Sequence, residues 1–151
     1  MKSAIASLTQ LESMRGTSVQ SDWRTVSQEA IGHFADVTHD HQWIHIDPVR
    51  AASESPYRTT VAHGFFTLSL LPTLLSECLT FRCEMVLNYG FDRIRFIGPV
   101  PSGSRIRGTF TLEDVQPAGE GAATLTWHAE VAVDGAERPV LAATWLQRAY
   151  F

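Results

Sequence analysis

The second half of the chain alternates between apolar and polar residues, which is the pattern of half-buried β-strands. Four segments carry this pattern: residues 83–97, 105–115, 123–133 and 140–148. In the third segment every odd-numbered residue is apolar, and Asp134-Gly135 directly after it is a strong hairpin signal. Gly90 predicts a bend in the long first segment. Together these segments predict an antiparallel meander.

Helical periodicity dominates the first half, in short stretches with clear start signals. Residues 7–14 carry leucines at helical spacing, and residues 17–26 are predicted to be extended. Ser27 is a cap for a helix whose apolar stripe ends just before the polar residues 38–40. Asp47-Pro48 begins a further short helix, which is predicted to end at residue 52.

Residues 62–79 form the most hydrophobic stretch of the chain and are apolar on nearly every side. A helix of that kind is expected to be buried on all sides, here by the predicted sheet. Pro72 removes one backbone hydrogen bond, so it should kink the helix unless it falls within a first turn. An apolar helix inside a curved antiparallel sheet is an α+β architecture.

The composition is that of one globular domain covering residues 1–151. Apolar residues make up 44% and charged residues 19%, which excludes a disordered chain. The net charge of −4 leaves no basic footprint for nucleic acid. No apolar run reaches the roughly 20 residues of a membrane span, and polar residues interrupt any signal-peptide core, so we expect a cytoplasmic protein. Cys78 and Cys83 lack metal-binding or redox spacing and are expected to be reduced core residues.

The candidate chemistry is concentrated in residues 38–47, T-H-D-H-Q-W-I-H-I-D, which hold three histidines and two carboxylates. Asp40 and His45 lie five positions apart in a segment too polar for the core, so they can converge if the backbone curls between them. Histidine titrates near neutrality and a carboxylate accepts a proton, so the pair can move protons without a metal. The alternative is a polar loop whose histidines lie in solvent.

Several motifs accompany this segment. They are F-A-x-x-T-x-D-H-Q-W-I-H-x-D-P from Phe34, A-H-G-F from Ala62, N-Y-G from Asn88, R-I-R-F from Arg93 and P-V-P-S-G-S-R from Pro99. Their combination resembles the MaoC-like dehydratase family, in particular its NodN-like branch and the single-domain (R)-specific enoyl-CoA hydratases. The resemblance covers residues 21–150. It implies the hot dog fold, a curved antiparallel sheet around a long central helix, usually as a homodimer with acyl tunnels near the interface.

The resemblance also implies an activity, the reversible hydration of trans-2-enoyl-CoA to (R)-3-hydroxyacyl-CoA in fatty acid metabolism. Asp40 and His45 would flank the catalytic water, with Asp40 deprotonating it and His45 orienting it and carrying the proton towards C2. The Gly64 amide at the start of the central helix would receive the thioester oxygen. The expected partner is an acyl-CoA substrate. Coenzyme A enters as part of it, and no separate cofactor is expected.

One position departs from the family pattern, because His39 replaces the glycine that usually precedes the catalytic aspartate. Glycine allows a backbone angle that histidine resists, so either the loop is shifted or His39 faces solvent, and we favour the second arrangement. Two other functions stay open for the same fold. One is an acyl-CoA thioesterase, in which water attacks the thioester carbon. The other is a catalytically inactive acyl-thioester binding subunit.

Several further residues are candidates for binding, and each has a structural alternative. His63 either caps local backbone, which we favour, or touches substrate. Trp43 and Tyr89 either line the acyl tunnel or pack in the core. Four arginines either meet the phosphates of coenzyme A or lie on solvated strand faces, which is the commoner case: Arg93, Arg95, Arg105 and Arg107.

A metal site is the least favoured interpretation of the polar segment. Its candidate ligands are His39, Asp40, His41, His45 and Asp47. Several ligands must face one point on a fixed frame, and the spacing here does not match H-E-x-x-H. We therefore predict that no metal takes part.

Overall fold

The computed structural model describes residues 3–151, so residues 1 and 2 of the predicted domain lie outside the described part. The first elements are β1 (Ser3–Ile5), α1 (Leu8–Ser13), β2 (Ser18–Gln20), β3 (Arg24–Thr25), α2 (Gln28–Thr38), α3 (Trp43–Ile46) and α4 (Pro48–Glu54). Both predicted caps are confirmed, because Ser27 Oγ accepts from the Ala30 amide and the Asp47 carboxylate accepts from the Arg50 amide. Helix α4 extends beyond the predicted end at residue 52, since the Ser55 amide donates to the Ala51 carbonyl and closes another turn.

The central helix consists of two helices, α5 (Gly64–Ser69) and α6 (Leu71–Cys78), which meet at Leu70. The predicted interruption is confirmed. Pro72 lies in the first turn of α6, where its missing N–H costs no helical hydrogen bond. The prediction that every side is buried is wrong, because the sheet covers one side only and Phe65 remains 68% exposed. Three leucines of α6 enter the main core: Leu71, Leu74 and Leu75.

The remaining strands are β4 (Leu79–Phe81), β5 (Met85–Phe96), β6 (Arg105–Pro117), β7 (Ala122–Val133) and β8 (Leu141–Tyr150). The main sheet is antiparallel with the order β2-β6-β7-β8-β5, and β3 also pairs with β6. The predicted alternation is confirmed, since the odd-numbered residues of β7 are buried. Large side chains on the inner face pack in the same core as α6, among them Phe110, Trp127 and Trp145.

The position of β5 corrects the predicted meander. Strand β5 pairs with β8 rather than with β6, which follows it in sequence, and it is therefore an edge strand. Alternation identifies a strand and its faces, whereas its neighbours depend on how the sheet closes over the central helix. Register shifts at Asn88/Gly90 and Phe91/Arg93 bend the strand, which confirms the bend predicted near Gly90.

Two further features complete the fold. Strand β1 pairs in parallel with β4 in a small separate sheet that three residues were too few to predict. Cys78 is half-buried and donates to the Leu75 carbonyl, and partial burial raises the pKa of the Cys83 thiol. No helix within residues 3–151 is both long enough and apolar enough to cross a membrane.

Candidate active site

The candidate aspartate lies directly beyond the end of α2. Ala35 is fully buried and Phe34 packs against His63, so these two residues anchor the helix. His39 ends the helix with left-handed backbone angles, φ 59° and ψ 21°, and its side chain is exposed. Glycine is favoured in that conformation because it has no Cβ, which explains the usual family residue. His39 makes the same turn and so places Asp40 at the site. The Asp40 side chain is 56% exposed.

His45 lies in α3, where its ring and its backbone are both tied to other segments. Its Nδ1 is 2.6 Å from the Val61 carbonyl oxygen. Because a carbonyl only accepts, Nδ1 carries the proton, and Nε2 of the neutral ring is left as an acceptor. Gln28 donates to the His45 carbonyl over 2.7 Å and accepts from the Thr60 hydroxyl. The imidazole is thus held in one orientation and one tautomer.

The surroundings of His45 favour its neutral form. Burial lowers the pKa of His45, and the nearby His63 adds to this effect. The hydrogen bond to Val61 and the charge of Asp40 act in the opposite direction without reversing it. At neutral pH the ring is therefore uncharged, and its Nε2 is free to accept a proton.

His63 is buried between these two residues, with its side chain 3% exposed. It occupies the cap position of α5 but makes no side-chain cap there, so its backbone contact is not local. Its Nε2 lies 3.0 Å from the Asp40 carbonyl oxygen, and its ring stacks on His45 with centroids 3.8 Å apart. One ligand atom from each of Asp40, His45 and His63 lies within 4.8 Å of the others.

The same three residues form a possible metal-binding group, and their geometry works against it. The imidazole planes are stacked at 25°, so their in-plane lone pairs run side by side rather than towards one ion at roughly 2.1 Å. The arrangement is suited to proton transfer by a carboxylate and an imidazole.

A cavity of about 400 Å³ opens beside His45 and Gly64. Its wall combines these two with apolar side chains and a hydroxyl, including Ile44, Val61, Thr67, Phe96 and Val100. Gly64 begins α5, so its amide lies in the first turn and has no helical acceptor. A Cβ at Gly64 would lie only 3.0 Å from Cδ1 of Phe96, so a larger residue here would crowd the Phe96 ring.

The side chains that line this cavity do not include Trp43 or Tyr89. The Arg50 guanidinium lies over the Trp43 ring, 4.4 Å from its centroid, and Arg148 lies 4.0 Å from the centroid of Tyr89. Tyr89 is seven residues along β5 from Phe96, a separation of roughly 23 Å in an extended strand. Their predicted contact with an acyl chain stays a prediction.

The four candidate arginines fall into two groups. Arg105 pairs with Asp134, and Arg105 and Arg107 both lie near the ring of Trp23, which gives them structural partners. Arg93 and Arg95 are exposed and line a second cavity, of about 510 Å³. That cavity shares two residues with the first, Phe96 and Ile97.

Sequence reasoning missed three residues that hold His45. Gln28 looks like an ordinary residue of a first helical turn, and Thr60 lies in a polar stretch between helices. Val61 contributes a backbone carbonyl, which no side-chain pattern reveals.

A curved antiparallel sheet packed against a two-part central helix, with a carboxylate and an imidazole at the start of that helix, is typical of hot dog hydratases and dehydratases. The sequence places the chain within this class. The MaoC like domain profile matches residues 10–132, and the chain belongs to the MaoC-like dehydratase family.

Three known proteins illustrate the relationship. The 3-hydroxyacyl-thioester dehydratase Z of Mycobacterium tuberculosis is 46% identical over 130 residues, 85% of each chain. Nodulation protein N of Rhizobium leguminosarum bv. viciae is 48% identical over 129 residues, 84% of this chain and 80% of the relative. The unliganded R-hydratase structure from Pseudomonas aeruginosa superposes with a TM-score of 0.73 at 18% identity, covering 90% of this chain and 81% of the other. The hot dog fold is thereby confirmed.

Proposed function

We propose that the protein catalyses the reversible (R)-specific hydration of trans-2-enoyl-CoA thioesters. The observation that carries this proposal is the meeting of the Asp40 carboxylate and the neutral His45 imidazole beside an open cavity. The relationship to a 3-hydroxyacyl-thioester dehydratase supports it, because dehydration of such a thioester is the same reaction in reverse. The mixed apolar and polar wall suits an acyl thioester.

His45 is the better placed proton acceptor of the pair. With its Nδ1–H donated to Val61, Nε2 takes one proton from the water whose oxygen attacks C3, and the imidazolium then gives a proton to C2. Asp40 accepts a hydrogen bond from the second O–H of the water, which keeps that hydrogen as the C3 hydroxyl, and its charge stabilises the imidazolium. Both residues end in their starting protonation states. The sequence analysis assigned deprotonation to Asp40, whereas the Val61 hydrogen bond favours His45.

The Gly64 amide is proposed to receive the thioester oxygen as negative charge develops on it. The amide lies on the wall of the His45 cavity and has no helical acceptor. The missing side chain allows the Phe96 ring to approach the start of α5, where a Cβ would meet it at 3.0 Å. Donors of this kind typically contribute about 10²–10³ in kcat. Arg93 and Arg95, on the adjoining cavity, are available for the phosphates of coenzyme A.

A homodimer joined along β5 is part of the proposal. The strand is an edge, and one of its faces exposes apolar side chains: Met85, Leu87 and Tyr89. A second copy would pair with this edge and cover these side chains. We expect Leu87→Lys to give a monomer by light scattering, whereas Val49→Lys, on exposed α4, leaves a dimer. A monomeric unaltered protein would contradict this part of the proposal.

The hydration is tested by following the loss of enoyl absorbance with crotonyl-CoA while free thiol is measured in parallel. Hydration removes the conjugated double bond and keeps the thioester, so absorbance falls without thiol release. Chiral analysis of the product is expected to give the (R)-3-hydroxyacyl thioester.

The controls separate this function from its alternatives. His45→Gln removes the proposed base, whereas His41→Gln changes a neighbouring exposed histidine that pairs with Asp36. We expect the first variant to lose hydration and the second to retain it. Thiol release would identify a thioesterase, and silence in both channels across chain lengths would identify a binding subunit.

A further inference from the structure

His63 has its ring and one ring nitrogen committed to the candidate active site. It is stacked on His45 and lies 5.0 Å from the Phe34 ring centroid. Its Nε2 faces the Asp40 carbonyl at 3.0 Å and therefore carries the proton. Its Nδ1 is then an acceptor, and it is buried without a hydrogen-bond partner among the residues that the structure describes.

This environment is a poor one for a side chain that serves packing alone. A buried nitrogen without a partner destabilises the fold, and an apolar ring would avoid that penalty. The contacts instead join two segments, since Asp40 follows α2 and His45 belongs to α3. His63, which precedes α5, touches both through different parts of its ring.

We propose that His63 is a positioning residue that fixes the Asp40 backbone and the His45 ring as one acid–base unit, an inference that rests on the proposed hydratase function. The Nε2–H holds the Asp40 carbonyl and leaves the Asp40 carboxylate 4.0 Å from the same nitrogen. The stacked ring fixes the plane of His45 while Val61 fixes its rotation.

The neighbouring His63 also affects the protonation of His45. The titratable groups that face His45 are Asp40 and His63, with Tyr57 on the wall of the shared cavity. Burial is the main cause that lowers the pKa of His45, and His63 contributes to the lowering. Removing the ring should therefore move this pKa towards its ordinary value.

Two variants separate the two contacts. His63→Gln keeps an amide N–H that can reach the Asp40 carbonyl and removes the ring. His63→Phe keeps a ring against His45 and removes the donor. Because its volume is similar to that of histidine, it still tests the proposal if His63→Gln unfolds. His33→Gln changes an exposed histidine of α2 and serves as the control.

The expected results differ between the variants. His63→Gln moves the acidic limb of kcat/KM to higher pH, because His45 becomes easier to protonate. His63→Phe keeps the ring that buries His45 but removes the charge of His63, so the limb moves less than in His63→Gln. Its kcat falls by about 10- to 100-fold with KM nearly unchanged, because Asp40 is misplaced. The proposal is overturned if both folded variants keep the native rate and pH profile, or lose activity only in proportion to the unfolded fraction.

An NMR titration of the His45 ring proton, assigned with His45→Gln, gives a readout that needs no activity. A higher titration midpoint in His63→Gln supports the positioning role. If the unaltered protein is inactive and His63→Gln still raises the His45 midpoint, the hydratase function is overturned and the contact between the two histidines is established. An unchanged midpoint in an active enzyme, together with a native rate in His63→Phe, would overturn the positioning role alone.

Discussion

The two proposed proton-transfer groups are held in opposite ways. The His45 ring donates to Val61 and stacks on His63, and its backbone accepts from Gln28. The Asp40 side chain is 56% exposed, and its carboxylate accepts one long hydrogen bond of 3.4 Å, from the Gln42 amide. The contrast indicates that the imidazole is held in a fixed position, while the carboxylate stays free to follow the substrate water.

The largest expected effect comes from removing each group in turn. His45→Gln removes the proposed base and should lower kcat by about 10²–10⁴-fold. Asp40→Asn removes the charge but keeps an oxygen that accepts a hydrogen bond from water, so its loss of activity should be smaller. Steady-state hydration of crotonyl-CoA measures both. A larger loss in Asp40→Asn would reverse the proposed roles and make Asp40 the base.

The next effect tests the support of His45 rather than its ring. Gln28→Ala leaves the His45 carbonyl and the Thr60 hydroxyl without their shared partner. We expect about 1–3 kcal/mol lower unfolding free energy in urea and a loss of roughly tenfold in kcat. Gln20→Ala, on the short strand β2, is the control and should leave kcat unchanged. Unchanged stability and activity in Gln28→Ala would show that the ring contacts alone position His45.

The pH dependence sharpens the same comparison. The folded pKa of His45 lies below its ordinary value of 6.5, so between the two values the unfolded chain binds more protons. The contribution of neutral His45 to stability is therefore complete above pH 6.5 and declines as pH falls through the folded pKa. Urea unfolding from pH 8 downwards should show this decline, and His45→Gln should flatten it. Activity should persist below pH 6.5 before its acidic limb.

The smallest effect concerns the turn that delivers Asp40. His39→Gly relieves left-handed backbone and should stabilise the protein by about 1 kcal/mol. Hydration should change little, because the turn is already formed and His39 is exposed. His41→Gly, which lies outside that conformation, should give no such gain in thermal unfolding. A large rise in activity for His39→Gly would mean that histidine displaces Asp40.

The elements of the fold could be predicted where local physics decides them. Alternation identified β7, and Ser27 and Asp47 identified helix starts, because each signal is carried by neighbouring residues. The partner of β5 and the exposed side of α5 could not be predicted in this way. They depend on how distant segments close around one another.

The candidate site was only partly predictable for the same reason. Asp40 and His45 were identified from their chemistry and family motif, and the structure brings them together. The tautomer of His45 could not be predicted, since it is set by a carbonyl 16 residues away in sequence. The buried link through His63 was likewise expected to be local and instead reaches Asp40.

The most direct test of the proposed function is mass spectrometry of the product formed from crotonyl-CoA in oxygen-18-labelled water. Hydration predicts an intact thioester that has gained one labelled water, with the heavy oxygen on C3. Formation of this product should be abolished in His45→Gln. Labelled free acid together with released coenzyme A, or unchanged crotonyl-CoA, would contradict the proposal.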